Sequence, residues 1–169
     1  MPGALSVDKL QILVVEDNRN MRLILATLLN AAGIRHIQAT ADGRVAFDLV
    51  QKTHFDAALI DFQLEGMDGL SLTRRIRQER ASLNPKTPII MVSGHTELSR
   101  ILEARDAGVT EFVTKPVTAH SLLTRLDTAL VQPRAFVSTR NFVGPDRRRK
   151  KPPPQYNGPF RRALDGVFD

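Results

Sequence analysis

The sequence predicts an α/β protein built as a (βα)5 doubly wound, five-stranded parallel sheet. Three observations carry that expectation. Short apolar runs alternate with amphipathic stretches five times in order, as in 11–15 (Gln-Ile-Leu-Val-Val) and 56–60 (Asp-Ala-Ala-Leu-Ile). The runs are continuous rather than alternating, as strands covered on both faces require. The amphipathic stretches between them are long enough to be the crossover helices that parallel strands need.

Each element has its own signal. The run 11–15 is the first strand, and Met21, Ile24, Leu25, Leu28 and Leu29 follow at helical spacing within 20–32. Gly33 stands where a helix is commonly closed. Residues 34–39 read as the second strand and 44–51 as the second helix. The third strand, 56–60, runs into Asp61, and 70–80 is the third helix. The fourth strand is expected over 87–92, with Pro88 at its start, where a missing N–H is tolerated. Residues 97–107 are helical with Gly108 behind them, 110–113 is the fifth strand, and 118–131 is the last helix, with Leu122, Leu123, Leu126, Ala129 and Leu130 inward.

From Pro133 the periodicity stops. The chain of 169 residues is therefore divided into an N-terminal extension (1–9), a folded body (10–132) and a basic tail (133–169) expected to be largely disordered or extended. The formal net charge of +6 is confined to that tail. Residues 1–132 carry 15 basic and 15 acidic side chains, and residues 133–169 carry 9 and 3, so 9 − 3 = +6. The absence of cysteine excludes disulfides, thiolate metal sites and cysteine nucleophiles. No apolar run approaches the roughly 20 residues of a membrane span, and no signal-peptide pattern opens the chain. The expected location is the cytoplasm.

Sheets of this kind bind ligands beyond the carboxyl ends of their strands. There the sequence places Glu16 and Asp17 after the first strand, Asp61 after the third, Ser93 after the fourth and Lys115 after the fifth. Clustered carboxylates call for a hard divalent cation such as Mg²⁺. An isolated Asp beside a metal and a lysine can act as a nucleophile on a phosphoryl group. A phosphatase that also uses a strand-end Asp is the enzyme alternative. It expects a second Asp two residues on, where this chain has Gln63.

Four pieces of sequence, Val14-Val15-Glu16-Asp17-Asn18, 59–69 (Leu-Ile-Asp-Phe-Gln-Leu-Glu-Gly-Met-Asp-Gly), Met91-Val92-Ser93-Gly94 and Phe112-Val113-Thr114-Lys115-Pro116, closely resemble the CheY-like receiver domain of two-component response regulators. The resemblance implies a flavodoxin-like receiver fold and a signalling protein rather than an enzyme. It implies Asp61 as acceptor of a phosphoryl group from a histidine kinase or phosphotransfer protein. It implies Mg²⁺ held by Asp17, Asp61 and the Gln63 carbonyl, with Glu16 acting through water. Ser93 and Lys115 would contact the phosphoryl group, and Phe112 would be the aromatic that reports the bond to the outer face. Gln63 and His95 hold positions that tune dephosphorylation in the family. Glu65 replaces the usual proline and is expected to loosen its loop. Output would pass to a downstream protein, a flagellar motor or a kinase among the candidates.

The 37 residues after 132, without helical periodicity, are not expected to form a DNA-binding domain, so a single-domain regulator is expected. The tail carries a repeat offset by 14 residues, Phe142-Val143-Gly144-Pro145-Asp146-Arg147-Arg148 and Tyr156-Asn157-Gly158-Pro159-Phe160-Arg161-Arg162. Guanidinium groups bind phosphates and guanine edges, and aromatics offer stacking platforms. This arginine-rich tail resembles that of CheY-like cyclic-di-GMP effector proteins, which implies Asp146, Arg147, Arg148, Arg149, Tyr156, Arg161 and Arg162 as nucleotide contacts. A tail that docks on nucleic acid non-specifically, or on a protein, is the alternative.

Overall fold

The computed structural model describes residues 6–147. After a 3₁₀ turn at Val7–Lys9 come β1 (Gln11–Val15), α1 (Arg19–Ala31), β2 (His36–Thr40), α2 (Gly43–Lys52), β3 (Ala57–Asp61), α3 (Gly69–Gln78), β4 (Ile89–Ser93), α4 (Leu98–Ala107), β5 (Glu111–Thr114) and α5 (Ala119–Val131). The five strands form one parallel sheet, as the alternation of elements predicts, and their order is β2-β1-β3-β4-β5.

Strand alternation divides the core into two layers. Leu13, Val15, Ala58, Ile60, Ile89 and Met91 pack with Phe47, Val50, Leu72 and Ile76 of α2 and α3. Ile12, Val14, Leu59, Ile90 and Val92 point the other way, onto Leu25 and Leu29 of α1 and Leu122 and Leu126 of α5. β3 and β4 are buried along their whole length, which is why they read as unbroken apolar runs.

Helix starts are fixed by short polar side chains that accept orphan backbone N–H groups. Asn18 accepts from Met21 N at 3.0 Å and Asp68 from Ser71 N at 2.8 Å. Thr118 and Ser121 cap α5 reciprocally. Two strand boundaries differ from the sequence expectation. β2 begins at His36, where pairing with Gln11 begins, and Ile34 is buried in the preceding turn. β4 begins at Ile89, since the Thr87 side chain is bonded to Phe55 O and Pro88 O receives Ala58 N.

The segment after α5 departs from the expected extended chain. Phe136–Ser138 (β6) and Val143–Pro145 (β7) pair antiparallel, with Val137 opposite Gly144. Gly108, in the left-handed region at φ +100°, ends α4 and receives the hairpin. A Cβ on Gly144 would lie 2.7 Å from Gly108 Cα, and one on Gly108 would lie 2.6 Å from Val143 O. Only a glycine pair permits this crossing. Such contacts leave no periodic trace, so periodicity could not reveal the hairpin. Of the tail residues expected to bind nucleotide, Asp146 and Arg147 are described. Arg148, Arg149, Tyr156, Arg161 and Arg162 lie outside the described residues.

Arg77 joins α3 to this region. Its side chain is 3% exposed and donates to the carbonyls of Gly108, Pro85 and Thr87 at 2.7–3.0 Å. The Phe136 ring lies 5.3 Å away. Burial pushes the guanidinium pKa down to about 9, which leaves it charged at neutral pH. Arg77→Met keeps the stem but strands those carbonyls without a donor. It is expected to cost about 2–3 kcal/mol, read by urea unfolding, with the loss abolished if the hairpin and the loop before β4 do not depend on this side chain.

Candidate functional site

The carboxyl ends of β1, β3, β4 and β5 gather the polar residues that the apolar sheet excludes elsewhere. Glu16 follows β1, Asp61 ends β3, Ser93 ends β4, and Lys115 directly follows β5 and precedes a cis bond to Pro116. The topology makes β1 and β3 neighbours while β2 lies on the other side of β1. The crossovers therefore diverge at this point and leave a crevice.

Oxygens of Glu16, Asp17 and Asp61 lie within 4.8 Å of one another. Glu16 is fully buried and Asp61 is 5% exposed. Lys115 Nζ donates to Glu16 Oε2 at 3.1 Å and to Asp61 Oδ1 at 3.2 Å. Three carboxylates and one ammonium leave 3 − 1 = 2 negative charges uncompensated within the cluster. A hard dication matches that deficit and that all-oxygen donor set.

The electrostatics follow from this crowding. Burial raises the Glu16 pKa above the ordinary carboxyl value, and the nearby Asp61 charge adds to the rise. Partial burial works against the Lys115 ammonium, but its bonds to Glu16 and Asp61 outweigh that and hold its pKa up. The ammonium is thus fixed at neutral pH.

Neighbouring groups hold the acids in place. Glu16 Oε1 accepts from Asn18 N at 3.1 Å. Arg22, on the first turn of α1, donates to the carbonyls of Glu16 at 2.7 Å and Asp17 at 3.3 Å. Gly69 brings α3 against the end of β3, where a Cβ would overlap Asp61 O. Neither Arg22 nor Gly69 was a candidate from sequence, because each acts through the backbone of its neighbour. Glu65 reverses its expectation. Its backbone N–H donates to Asp17 Oδ2 at 3.1 Å, so it ties the loop rather than loosening it. A proline there would have no N–H to give.

Ser93 is buried, and its Oγ accepts from His95 N at 3.0 Å. The His95 ring reaches back across the crevice to the Gln63 amide at 3.0 Å, and it packs edge-on against Phe62. Gln63 and His95 therefore form one polar bridge at the mouth of the site. Phe112 lies apart from the carboxylates. It is partly buried against the first core layer, and it lines a cleft of about 110 Å³ together with Ile101, Arg134 and Arg147.

The raised Glu16 pKa has a sign for stability. The folded state binds this proton more tightly than the unfolded chain, so stability without metal falls as pH rises from 4.5 towards the folded value. Glu16→Gln is expected to stabilise the metal-free protein at pH 7 by on the order of 1 kcal/mol. It should also flatten this part of the stability–pH profile. An unchanged profile in thermal melts from pH 4 to pH 8 would assign the slope to another group.

Residues 12–127 match the family model described as the response regulator receiver domain. The chain is 33% identical over 118 residues to the chemotaxis protein CheY-3 of Vibrio cholerae, covering 70% of this chain and 89% of that protein. It is 31% identical to the chemotaxis protein CheY of Pseudomonas aeruginosa, covering 94% of that protein. Among solved structures it resembles the receiver domain of a sensor histidine kinase from Pseudomonas aeruginosa, at 29% identity and a TM-score of 0.65, over 72% of this chain and 98% of that one. That structure has a magnesium ion coordinated in its active-site cleft. The family match spans the same strand ends that hold the carboxylate cluster, and the chain belongs to the response regulator receiver domain family.

Proposed function

We propose that this chain is a response regulator phosphorylated on Asp61. The observation that carries the reading is Lys115 Nζ, bonded at once to Asp61 and to the buried Glu16. It holds the Asp61 carboxylate in one orientation at the floor of the crevice. An Asp61 oxygen attacks the phosphorus of a phosphohistidine on a histidine kinase or phosphotransfer protein. The P–N bond breaks, and the released imidazole takes up a proton. Lys115 stays beside the new acyl phosphate and offsets charge on its equatorial oxygens. The Ser93 hydroxyl, buried at the end of the neighbouring strand, donates to a phosphoryl oxygen once it turns from His95 N.

Glu16, Asp17, Asp61 and the Gln63 carbonyl are the groups that would hold Mg²⁺. The ion supplies charge neutralisation for the transferring phosphoryl group. Phe112 responds by packing alone, since it lacks a phenol oxygen, and passes the change to a downstream protein at the face it lines. The protein works in the cytoplasm. Full-length protein with Mg²⁺ and a small phosphodonor such as acetyl phosphate is expected to acquire one acid-labile phosphoryl group. The label should be absent from Asp61→Asn and absent with chelator, as read by intact mass. Labelling that persists in Asp61→Asn would place the acceptor elsewhere.

The tail reading is that Asp146, Arg147, Arg148, Arg149, Tyr156, Arg161 and Arg162 bind cyclic-di-GMP, whose two phosphates and two guanines suit paired arginines. The repeat in the sequence supports it. Arg147 already lies 3.3 Å from Asp106 and stacks on Phe142 at 4.0 Å, so the dinucleotide competes with Asp106 for that guanidinium. This prior engagement also favours a second reading, a tail that docks on protein. Calorimetric titration of the full chain should show cyclic-di-GMP binding at tens of micromolar or tighter, weakened at least tenfold by Arg147→Ala/Arg148→Ala. Absence of heat, or equal binding of an arbitrary oligonucleotide that collapses with salt, would overturn it.

A further inference from the structure

The loop after β3 carries a residue that touches the crevice through its main chain. Residues 64–67 read Leu-Glu-Gly-Met, and Gly66 sits in the left-handed region at φ +81°. A glycine at positive φ marks the second central position of a type II turn, whose first central position favours proline. This chain has Glu65 there and so keeps a backbone N–H that proline would lack. That N–H donates to Asp17 Oδ2 at 3.1 Å, across 48 residues of sequence.

The other two acids are engaged in the same way. Glu16 Oε1 accepts from Asn18 N at 3.1 Å and Oε2 from Lys115 Nζ at 3.1 Å, and Asp61 Oδ1 accepts from Lys115 Nζ at 3.2 Å. Each carboxylate of the cluster thus has at least one oxygen already tied to a donor. Arg22 also holds the carbonyls of Glu16 and Asp17, which braces the first loop against rotation.

Divalent cations differ in what they ask of such acids. Mg²⁺ is small, prefers a near-ideal octahedron and keeps several waters, so one oxygen from an acid suffices. Ca²⁺ takes roughly six to eight oxygens and often binds both oxygens of one carboxylate. Glu16 and Asp61 share the lysine, whereas the Asp17 carboxylate is held by Glu65 N–H.

We propose that the Glu65 N–H is a specificity-determining group: by occupying Asp17 Oδ2 it withholds that carboxylate from two-oxygen binding and favours Mg²⁺ over Ca²⁺. This rests on the assignment of the crevice to Mg²⁺. The Glu65 side chain is exposed, and its charge attracts both ions alike, so the discrimination belongs to the main chain.

The test titrates Mg²⁺ and Ca²⁺ by calorimetry into the full-length protein, Glu65→Ala and Glu65→Pro. Both variants lose the same charge, and only the second loses the N–H. Glu65→Ala is expected to keep the ratio of Mg²⁺ to Ca²⁺ affinity of the unaltered protein. Glu65→Pro is expected to lower it about tenfold, the usual scale for losing a bond that orients a metal-ligating carboxylate. A purely structural role for the turn would lower thermal stability without moving the ratio. A second readout needs no variant. By NMR, the Glu65 amide of the unaltered protein should stay protected from hydrogen exchange with Mg²⁺ bound and lose that protection with Ca²⁺ bound. An unchanged ratio in Glu65→Pro, an equal fall in Glu65→Ala, or an amide equally protected with either ion would overturn this role for Glu65. Failure of the unaltered protein to bind either ion would overturn the Mg²⁺ assignment on which it rests.

Discussion

One ammonium between two buried carboxylates organises this molecule. Lys115 reaches Glu16 and Asp61 from a third strand end, and the three groups come from positions up to 99 residues apart in the chain. Burying Glu16 and Asp61 together has a desolvation and repulsion cost that the lysine only partly offsets. Nothing in the packing of an apolar sheet calls for them. The arrangement is stable because the β-α crossovers place the ends of β1, β3 and β5 at one edge, and because Arg22, Asn18, Glu65 N–H and Gly69 fix the backbone around the acids. The site spends stability that the two core layers supply, which is the usual relation between a functional site and its scaffold.

That division of labour explains what the sequence revealed. The sheet and its five helices follow from hydrophobic period, since strands buried on both faces must be apolar throughout. The carboxylates and Lys115 follow from the strand-end rule once the strands are placed. Their convergence needed only β1 and β3 to be adjacent. The supporting residues were not legible, for a common reason. Arg22 acts on carbonyls, Gly69 through the Cβ it lacks, and Glu65 through an N–H that every residue except proline has. The hairpin was hidden by the same logic. It is held by a glycine crossing, by Arg77 beneath Phe136 and by Arg134 on the carbonyls of Thr110 and Asp146.

The hairpin also changes the meaning of the basic tail. Residues 133–147 carry Arg134, Arg140, Arg147 and Asp146, so 3 − 1 = +2, and residues 148–169 carry 6 basic and 2 acidic side chains, so 6 − 2 = +4. A third of the excess charge thus belongs to a segment folded against the receiver. Two of its arginines are committed to internal partners, Arg134 to two carbonyls and Arg147 to Asp106 and Phe142. Charge counted along a sequence overstates what is offered to a ligand, because a guanidinium already bonded must exchange partners before it binds another.

The position of the hairpin ties it to the receiver's own face. Phe112, Ile101 and Arg105 line the same cleft as Arg134 and Arg147. α4 presents Leu98, Ile101 and Leu102 to solvent beside it, apolar surface that a soluble monomer has no internal reason to expose. A rotamer change at Phe112 alters one wall of a cleft whose opposite wall is the root of the repeat. β5 lies between the carboxylate crevice and the hairpin, with Lys115 just beyond one end and Thr110, which receives Arg134, just before the other. β5 thus links the crevice to residues 134–147, the described part of the segment after Pro133.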